Sequence, residues 1–347
     1  MAVLDPLTDR ERRVLEAVVQ SYIETAEPAA SRRLALGFGL GVSPATIRQT
    51  MSELEEKGYL FHPHTSAGRV PTDRAYRAYV DSMLRIRAPG SELRESLLAG
   101  LPPARGPVED ILRRTAQVLG VLTQELGLAV GPALDAVVLE RLELVPVAND
   151  RLLLVFNLRS GVVRTIFVQV PAAIPATTTE IMARLLNERL AGLTLAEIRR
   201  SLGERLRDAA PAGAKGHELL NIFLAQGEEI FALDGGGGAV VLGSAQPLAG
   251  QPEFASSSER LRRLLHLTEG NDPLRRALAG HREGGLRITI GGEHEDPALA
   301  EFTLVTASYH AGGLSGVIGV LGPTRMPYEK VVSLVVHASR MVEGLLE

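Results

Sequence analysis

Cysteine does not occur in this chain of 347 residues, which excludes disulfides, thiolate nucleophiles and cysteine-based zinc sites. No apolar run approaches the ~20 residues that a membrane span needs. The first residues also lack the apolar stretch of a secretory signal. A cytoplasmic protein with no membrane partner is the expectation. A strong positive balance is missing too: the net charge is −4, which argues against a chain that coats nucleic acid along its whole length. Gly235–Gly238 carries neither a following Lys-Ser/Thr nor a Gly-x-Gly-x-x-Gly pattern between strand and helix, so it reads as a turn rather than a phosphate loop. His62 and His64 have a spacing open to metal ligands, but no third or fourth donor stands nearby. His294-Glu295-Asp296 reads as a solvated loop, and His310 and His337 as core or dimer-face residues. No nucleophile–base pairing emerges from the spacing. The chain is therefore expected to have no catalytic residue, no metal and no cofactor.

What is present is the material of a well-cored globular protein: 45% of residues are hydrophobic and the mean hydropathy is +0.10. The length predicts two or three domains. Charge is unevenly placed. Residues 1–90 hold 12 Arg/Lys against 11 Asp/Glu, and the remainder 25 against 30, so a modest basic face on the first part must carry any contact with DNA. Only three of the 37 basic residues are Lys, which reads as a GC-rich coding bias and not as a functional signal.

The first ninety residues are the most informative. Thr8 and Glu11 make a capping-box pair, and Val14, Val18 and Tyr22 recur at helical spacing beside Leu15, Val19 and Ile23. Ser31 is expected to cap a short second helix through Leu36. Ser43 caps a third, with Pro44 at its first position, where a missing N–H costs nothing. At about 100° per residue, Ile47, Met51 and Leu54 fall on one side of this helix; Ala45, Arg48, Gln49 and Ser52 fall on the other, with Thr46 at the flank. The outward face is small and polar. Arg48 can reach guanine or phosphate, and Gln49 an adenine edge. Gly58 stops the helix. Tyr59-Leu60-Phe61 and Arg69-Val70 then form a hairpin whose tip spans His62 to Gly68. Helix, stop and hairpin in this order predict a winged helix-turn-helix. Ser43, Ala45, Thr46, Arg48, Gln49, Ser52, His64, Thr65, Ser66 and Arg69 are its candidate DNA contacts, with Arg69 the expected contact of the wing to phosphate or minor groove. Thr72 caps a further helix whose Tyr76, Tyr79, Val80 and Met83 line one face, either for packing within the domain or as a connector or dimer helix.

These residues resemble the HrcA-type heat-inducible transcription repressors of bacteria. The resemblance rests on Glu27-Pro28 and Ser31, Ala45-Thr46-Ile47-Arg48, Met51, Leu54 through Leu60, and above all the long string Pro63-His64-Thr65-Ser66-Ala67-Gly68-Arg69-Val70-Pro71-Thr72-Asp73. Two departures stand out. Gln49-Thr50 replaces the family's Asn-Asp, and Ala29-Ala30 its Val-Gly. The resemblance implies a homodimer on double-stranded DNA, bound to an inverted-repeat operator upstream of chaperone operons, and a GroEL-type chaperonin that keeps the repressor active.

Beyond residue 88 the texture is less specific. Residues 89–106 look like a broken linker with a short helical piece inside. A helix then runs from about 108 to 126. Strand-like runs follow at Ala136–Val147, Leu152–Leu158 and Val162–Val170, separated by turns, as in an antiparallel meander. Helices follow at about 177–191, 194–207 and 215–232, strands return at 286–290, 302–310 and 314–321, and a helix at 327–346 closes the chain. The resemblance makes this an α+β multidomain protein: a winged helix-turn-helix over 1–88, a GAF-like α/β domain in two parts (107–171 and 259–347), and a mainly helical dimerisation domain inserted over 172–258. A winged-helix regulator controlled by a small molecule in the GAF-like domain is the alternative.

Overall fold

The computed structural model describes residues 7–63, 68–83, 88–101, 108–132, 134, 137–159, 163–209, 211, 213–231, 240–270, 272–281, 284–311 and 314–346. They fall into two compact units. One comprises Met1–Ala129, Val240–Tyr309 and Val317–Leu345; the other comprises Val130–Ala239, His310–Gly316 and the last two residues.

The first unit begins with α1 (Asp9–Thr25), opened by the expected capping box between Thr8 and Glu11. Val14, Leu15, Val18 and Val19 of α1 are buried. The helix ends on Ala26 in the left-handed region, φ 56°, a conformation that favours glycine. In α2 (Ser31–Gly37) the N-cap is Ala30, without a side-chain bond. Ser31 is thus the first helical residue and not the cap that the sequence suggested. Next come α3 (Pro44–Glu56), the hairpin strands β1 (Leu60–Phe61) and β2 (Val70–Pro71), and α4 (Asp73–Met83). In the hairpin Leu60 lies opposite Pro71, and Phe61 opposite Val70.

The segment that reads as a linker contains a packed helix, α5 (Ser91–Gly100), whose Leu97 is fully buried. After α6 (Val108–Thr123) comes β3 (Leu126–Val130), a strand that the texture did not reveal. All five of its residues are buried, so it lacks the alternation of a half-exposed strand and reads as more of the preceding helix.

The second unit holds β4 (Leu139–Ala148), β5 (Arg151–Leu158) and β6 (Val163–Gln169), an antiparallel sheet in the order β4-β5-β6, with α7 (Ala176–Leu190), α8 (Leu195–Arg205) and α9 (Gly213–Ile230). Texture had grouped this meander with the strands that return at Leu286 and begun the insertion at 172. Packing groups it otherwise. Leu142, Leu152, Leu154, Phe156 and Leu158 share one core with Met182, Leu186, Ile198 and Phe223, so sheet and helices form one unit. A bare strand edge needs cover, and Asn187 of α7 supplies it for β4. Its amide accepts from Leu142 N at 2.8 Å and donates to Leu142 O at 2.7 Å.

The chain then resumes the first unit with β7 (Val240–Leu242), α10 (Gln246–Ala249), α11 (Pro252–Ala255), α12 (Ser258–Glu269), α13 (Asp272–Ala279), β8 (Leu286–Ile290), β9 (Phe302–Ala311), β10 (Leu314–Pro323) and α14 (Tyr328–Leu346). Its five-stranded sheet has the order β7-β3-β10-β9-β8. The three-residue β7 was also missed by the sequence reading.

Candidate nucleic-acid interface

The first turn of α3 is built as its residues predict. Ser43 Oγ accepts from Thr46 N at 3.1 Å, and Pro44 occupies the first turn. Ile47, Met51 and Leu54 are buried, and α3 packs on α1 and α2. Ala45, Arg48 and Gln49 are exposed, while Thr46 and Ser52 are half-buried. Thr50, the second residue of the family departure, is buried, and its hydroxyl donates to Thr46 O at 3.1 Å. It supports the helix from within. Of the Gln49-Thr50 pair only Gln49 faces outward, where its amide donates to Glu53 Oε1 at 3.2 Å. Ser52 donates its hydroxyl back to Arg48 O at 3.2 Å.

The hairpin is anchored at its base. Arg69 exchanges backbone hydrogen bonds with Ala29, N to O at 3.0 Å and O from N at 2.8 Å. Gly68 is required here, because a Cβ on it would lie 2.2 Å from Ala29 O. The Arg69 side chain departs from expectation: its guanidinium pairs with Glu55 of α3 at 2.8 Å and is only 15% exposed. His64, Thr65 and Ser66 lie outside the described residues.

One residue that sequence reading passed over joins this surface. Arg32, in the first turn of α2, lines a groove of about 440 Å³ together with Ser31, Arg48, Met51, Gly68 and Arg69. Its only signal in the sequence was its place beside Ser31. The basic residues nearby are otherwise occupied: Arg33 pairs with Glu27 at 2.8 Å, and Lys57 with Glu11 at 2.7 Å. Burial alone would raise the Glu11 carboxyl, but the bonds from Lys57 and Thr8 outweigh it and hold the group below its ordinary value.

Helix α4 ties this surface to the rest of its unit. The Arg77 guanidinium donates to both carboxylate oxygens of Glu293, at 2.7 and 2.5 Å, and to Ile288 O at 2.6 Å. Asp73 accepts from Gly292 N at 2.9 Å. The neighbouring Gly291 is at φ 51°, and a Cβ there would meet the Asp73 carboxylate at 2.1 Å. Tyr76 and Tyr79 pack on Tyr328, with ring centroids 6.0 and 6.4 Å apart. Arg325 pairs with Glu253 and donates to Ile23 O, in the last turn of α1, at 2.7 Å. Helix α4 thus packs within its own unit. The loop at 293–296 also proves structural: Glu293 receives Arg77, while Asp296 receives Arg276 at 2.6 Å and Ala298 N at 3.0 Å. His310 is exposed rather than core, because it stands near the end of β9. His337 is half-buried, and desolvation together with Arg94 and Arg340 lowers its basicity.

A family model described as the HrcA protein C-terminal domain matches residues 109–332. The chain belongs to the HrcA family. A heat-inducible transcription repressor HrcA of Chlorobium phaeobacteroides (strain BS1) is 37% identical over 98% of this chain and 98% of its own length. One of Pelotomaculum thermopropionicum is 35% identical over 98% and 97%. A crystal structure described as that of a hypothetical protein superposes with a TM-score of 0.64 at 24% identity, covering 98% of this chain and 99% of its own; this likeness shows a shared fold. The family is one of transcription repressors of heat-shock genes, regulators rather than enzymes. Among the described residues no helix is long and apolar enough to cross a membrane.

Proposed function

We propose that α1 to β2 form a winged helix-turn-helix whose α3 reads an inverted-repeat operator upstream of chaperone operons, so that the bound repressor blocks their transcription in the cytoplasm. One observation carries this reading. A capped, well-anchored helix presents Ala45, Arg48, Gln49 and Ser52 outward, beside a hairpin fixed at its base by Gly68 and Arg69. The small Ala45 admits the helix to the groove, Arg48 and Gln49 address base edges, and Arg32 and Arg69 address phosphate. Thr46 and Ser43 stand at the N-terminal end of α3, which enters the major groove first.

An inverted repeat calls for a two-fold dimer. The sheet face of the second unit that turns away from its core supports one: Val145 and Phe167, 42% and 62% exposed, flank Leu153 in one cross-strand row. In this reading Val130–Ala239 is the inserted dimerisation domain, and the five-stranded sheet with its helices is GAF-like. Maintenance by a GroEL-type chaperonin rests on the family resemblance. Footprinting of the full chain on inverted repeats upstream of the cell's own chaperonin operon, with and without purified chaperonin, tests the whole. Protection at two half-sites on one duplex face, stronger with chaperonin, is expected. No protection by folded, dimeric protein overturns it.

Effector control is a second reading, favoured by one observation. A cavity of about 670 Å³ lined by Arg276, His281, Arg287 and His294 also includes Glu293, the partner of Arg77 on α4. A metabolite that shifts both the melting temperature and operator affinity would support it.

A further inference from the structure

The groove beside α3 gathers three arginines from three elements: Arg32 of α2, Arg48 of α3 and Arg69 at the base of the hairpin. Arg32 and Arg48 are exposed and have no ion-pair partner among the described residues. Arg69 differs. Its backbone is held on Ala29, so only its side chain can turn, and its guanidinium lies on Glu55. Glu55 stands seven residues beyond Arg48, almost two full turns, and so on the same face of α3. The groove thus has a carboxylate at its edge and three cations around it, with counter-charge for only one of them.

A phosphate and a carboxylate offer the guanidinium fork equivalent oxygen pairs. We propose that this groove seats one backbone phosphate of operator DNA, and that Glu55 is an exchangeable counter-ion which holds Arg69 in place until the phosphate takes it over. The inference rests on the DNA-binding reading above and adds to it the place of a phosphate, the role of Arg32 and a function for the acid. In the free protein Glu55 gives this partly buried cation a counter-charge, while Arg69 Nε is buried without a hydrogen-bond partner among the described residues. In the complex Arg32 and Arg69 take the phosphate, Arg48 remains on the base edges, and Glu55 turns to solvent. Glu55 therefore opposes DNA binding, and its removal is expected to tighten it.

The test is the salt dependence of operator affinity for the full-length protein, measured by fluorescence anisotropy on the inverted-repeat duplex and on a scrambled duplex. Each phosphate contact contributes ~0.9 to the slope of log affinity against log salt. Arg32→Ala is expected to flatten the slope by about one contact on both duplexes, so that a variant's deficit shrinks by roughly threefold between 50 and 200 mM salt. Arg32→Lys, which keeps the charge, retains most of the slope and separates lost charge from lost folding. Glu55→Gln is expected to tighten binding and steepen the slope, and Glu55→Gln/Arg69→Gln to return it to the wild-type value. An unchanged slope in Arg32→Ala overturns the phosphate seat. A steep slope that persists in the double variant overturns the exchange. Both results presuppose that the wild type binds the inverted repeat; if it does not, the DNA-binding reading itself has failed.

Discussion

Arg77→Ala tests whether the helix that follows the hairpin is held to its unit by polar anchors rather than by apolar packing alone. The substitution removes two hydrogen bonds to Glu293, one to Ile288 O and one to Asp81. In a dry interior each charged bond would contribute ~1.5–3 kcal/mol. Here the Arg77 and Glu293 side chains are 29% and 36% exposed, so water replaces part of what is lost. Discounted for that screening, the loss comes to about 2 kcal/mol, or roughly a 30-fold rise in local opening. Hydrogen exchange reads it directly, since Ile290 N bonds Glu293 and Gly292 N bonds Asp73. Those two amides are expected to exchange at least tenfold faster, while Val305 in the adjoining strand is unchanged. Equal rates at 290 and 292 in wild type and variant would refute the anchoring argument. The contact also carries a pH signature. Burial alone would raise the Glu293 carboxyl, but the bonds from Arg77 and Ile290 N outweigh it and set it below its ordinary value. A depressed folded-state value means stabilisation that is present above the unfolded pKa and is lost as pH falls through the folded one.

Three further outcomes are expected. Ala26→Gly relieves a left-handed Ala at φ 56° and is expected to stabilise the first unit by about 0.5–1 kcal/mol in thermal or urea unfolding, after the entropy cost of glycine is subtracted. Burial raises the Glu125 carboxyl to about 8, against the opposing bond from Gln251. Folding then binds a proton that the unfolded chain releases, so stability declines from near pH 4.3 up to about 8, and Glu125→Gln should flatten that decline in unfolding curves taken across pH. Gln49→Ala should cost ~1–3 kcal/mol at one operator position and relax base preference there in competition binding, leaving the salt slope unchanged.

Helix α3 was legible because its cap, its stop and its two faces are encoded within the sixteen residues from Ser43 to Gly58. The hairpin was legible for the same reason: the chain signals both strands within a few residues of each other. What local signals could not supply were the partners. Arg69 has the sequence context of a free wing cation, yet its guanidinium lies on Glu55, because the bridge to Ala29 fixes which way the side chain leaves the backbone. Thr50 stands out in the sequence only as a departure from the family pattern, and α3 buries it. In the α/β portion, β3 and β7 escaped because a fully buried strand and a three-residue strand lack a period. The meander was assigned to the wrong unit because alternation reveals that a strand has an inner face, not which helices cover it. Only the shared core of Phe156, Met182 and Phe223 decides that. The loop at 293–296 carried no readable role, since its function lies in a contact with Arg77 more than two hundred positions away.

The central claim is that the outward face of α3 reads operator DNA. The most direct measurement is the affinity of the full-length protein for an inverted-repeat duplex from upstream of its own chaperonin operon, compared with a scrambled duplex at the same salt. The account predicts a preference of ~10³-fold or more for the inverted repeat. It also predicts that Arg48→Ala removes most of that preference while the protein remains folded. Equal affinity for the two duplexes, or a preference that survives Arg48→Ala and Gln49→Ala together, would contradict it.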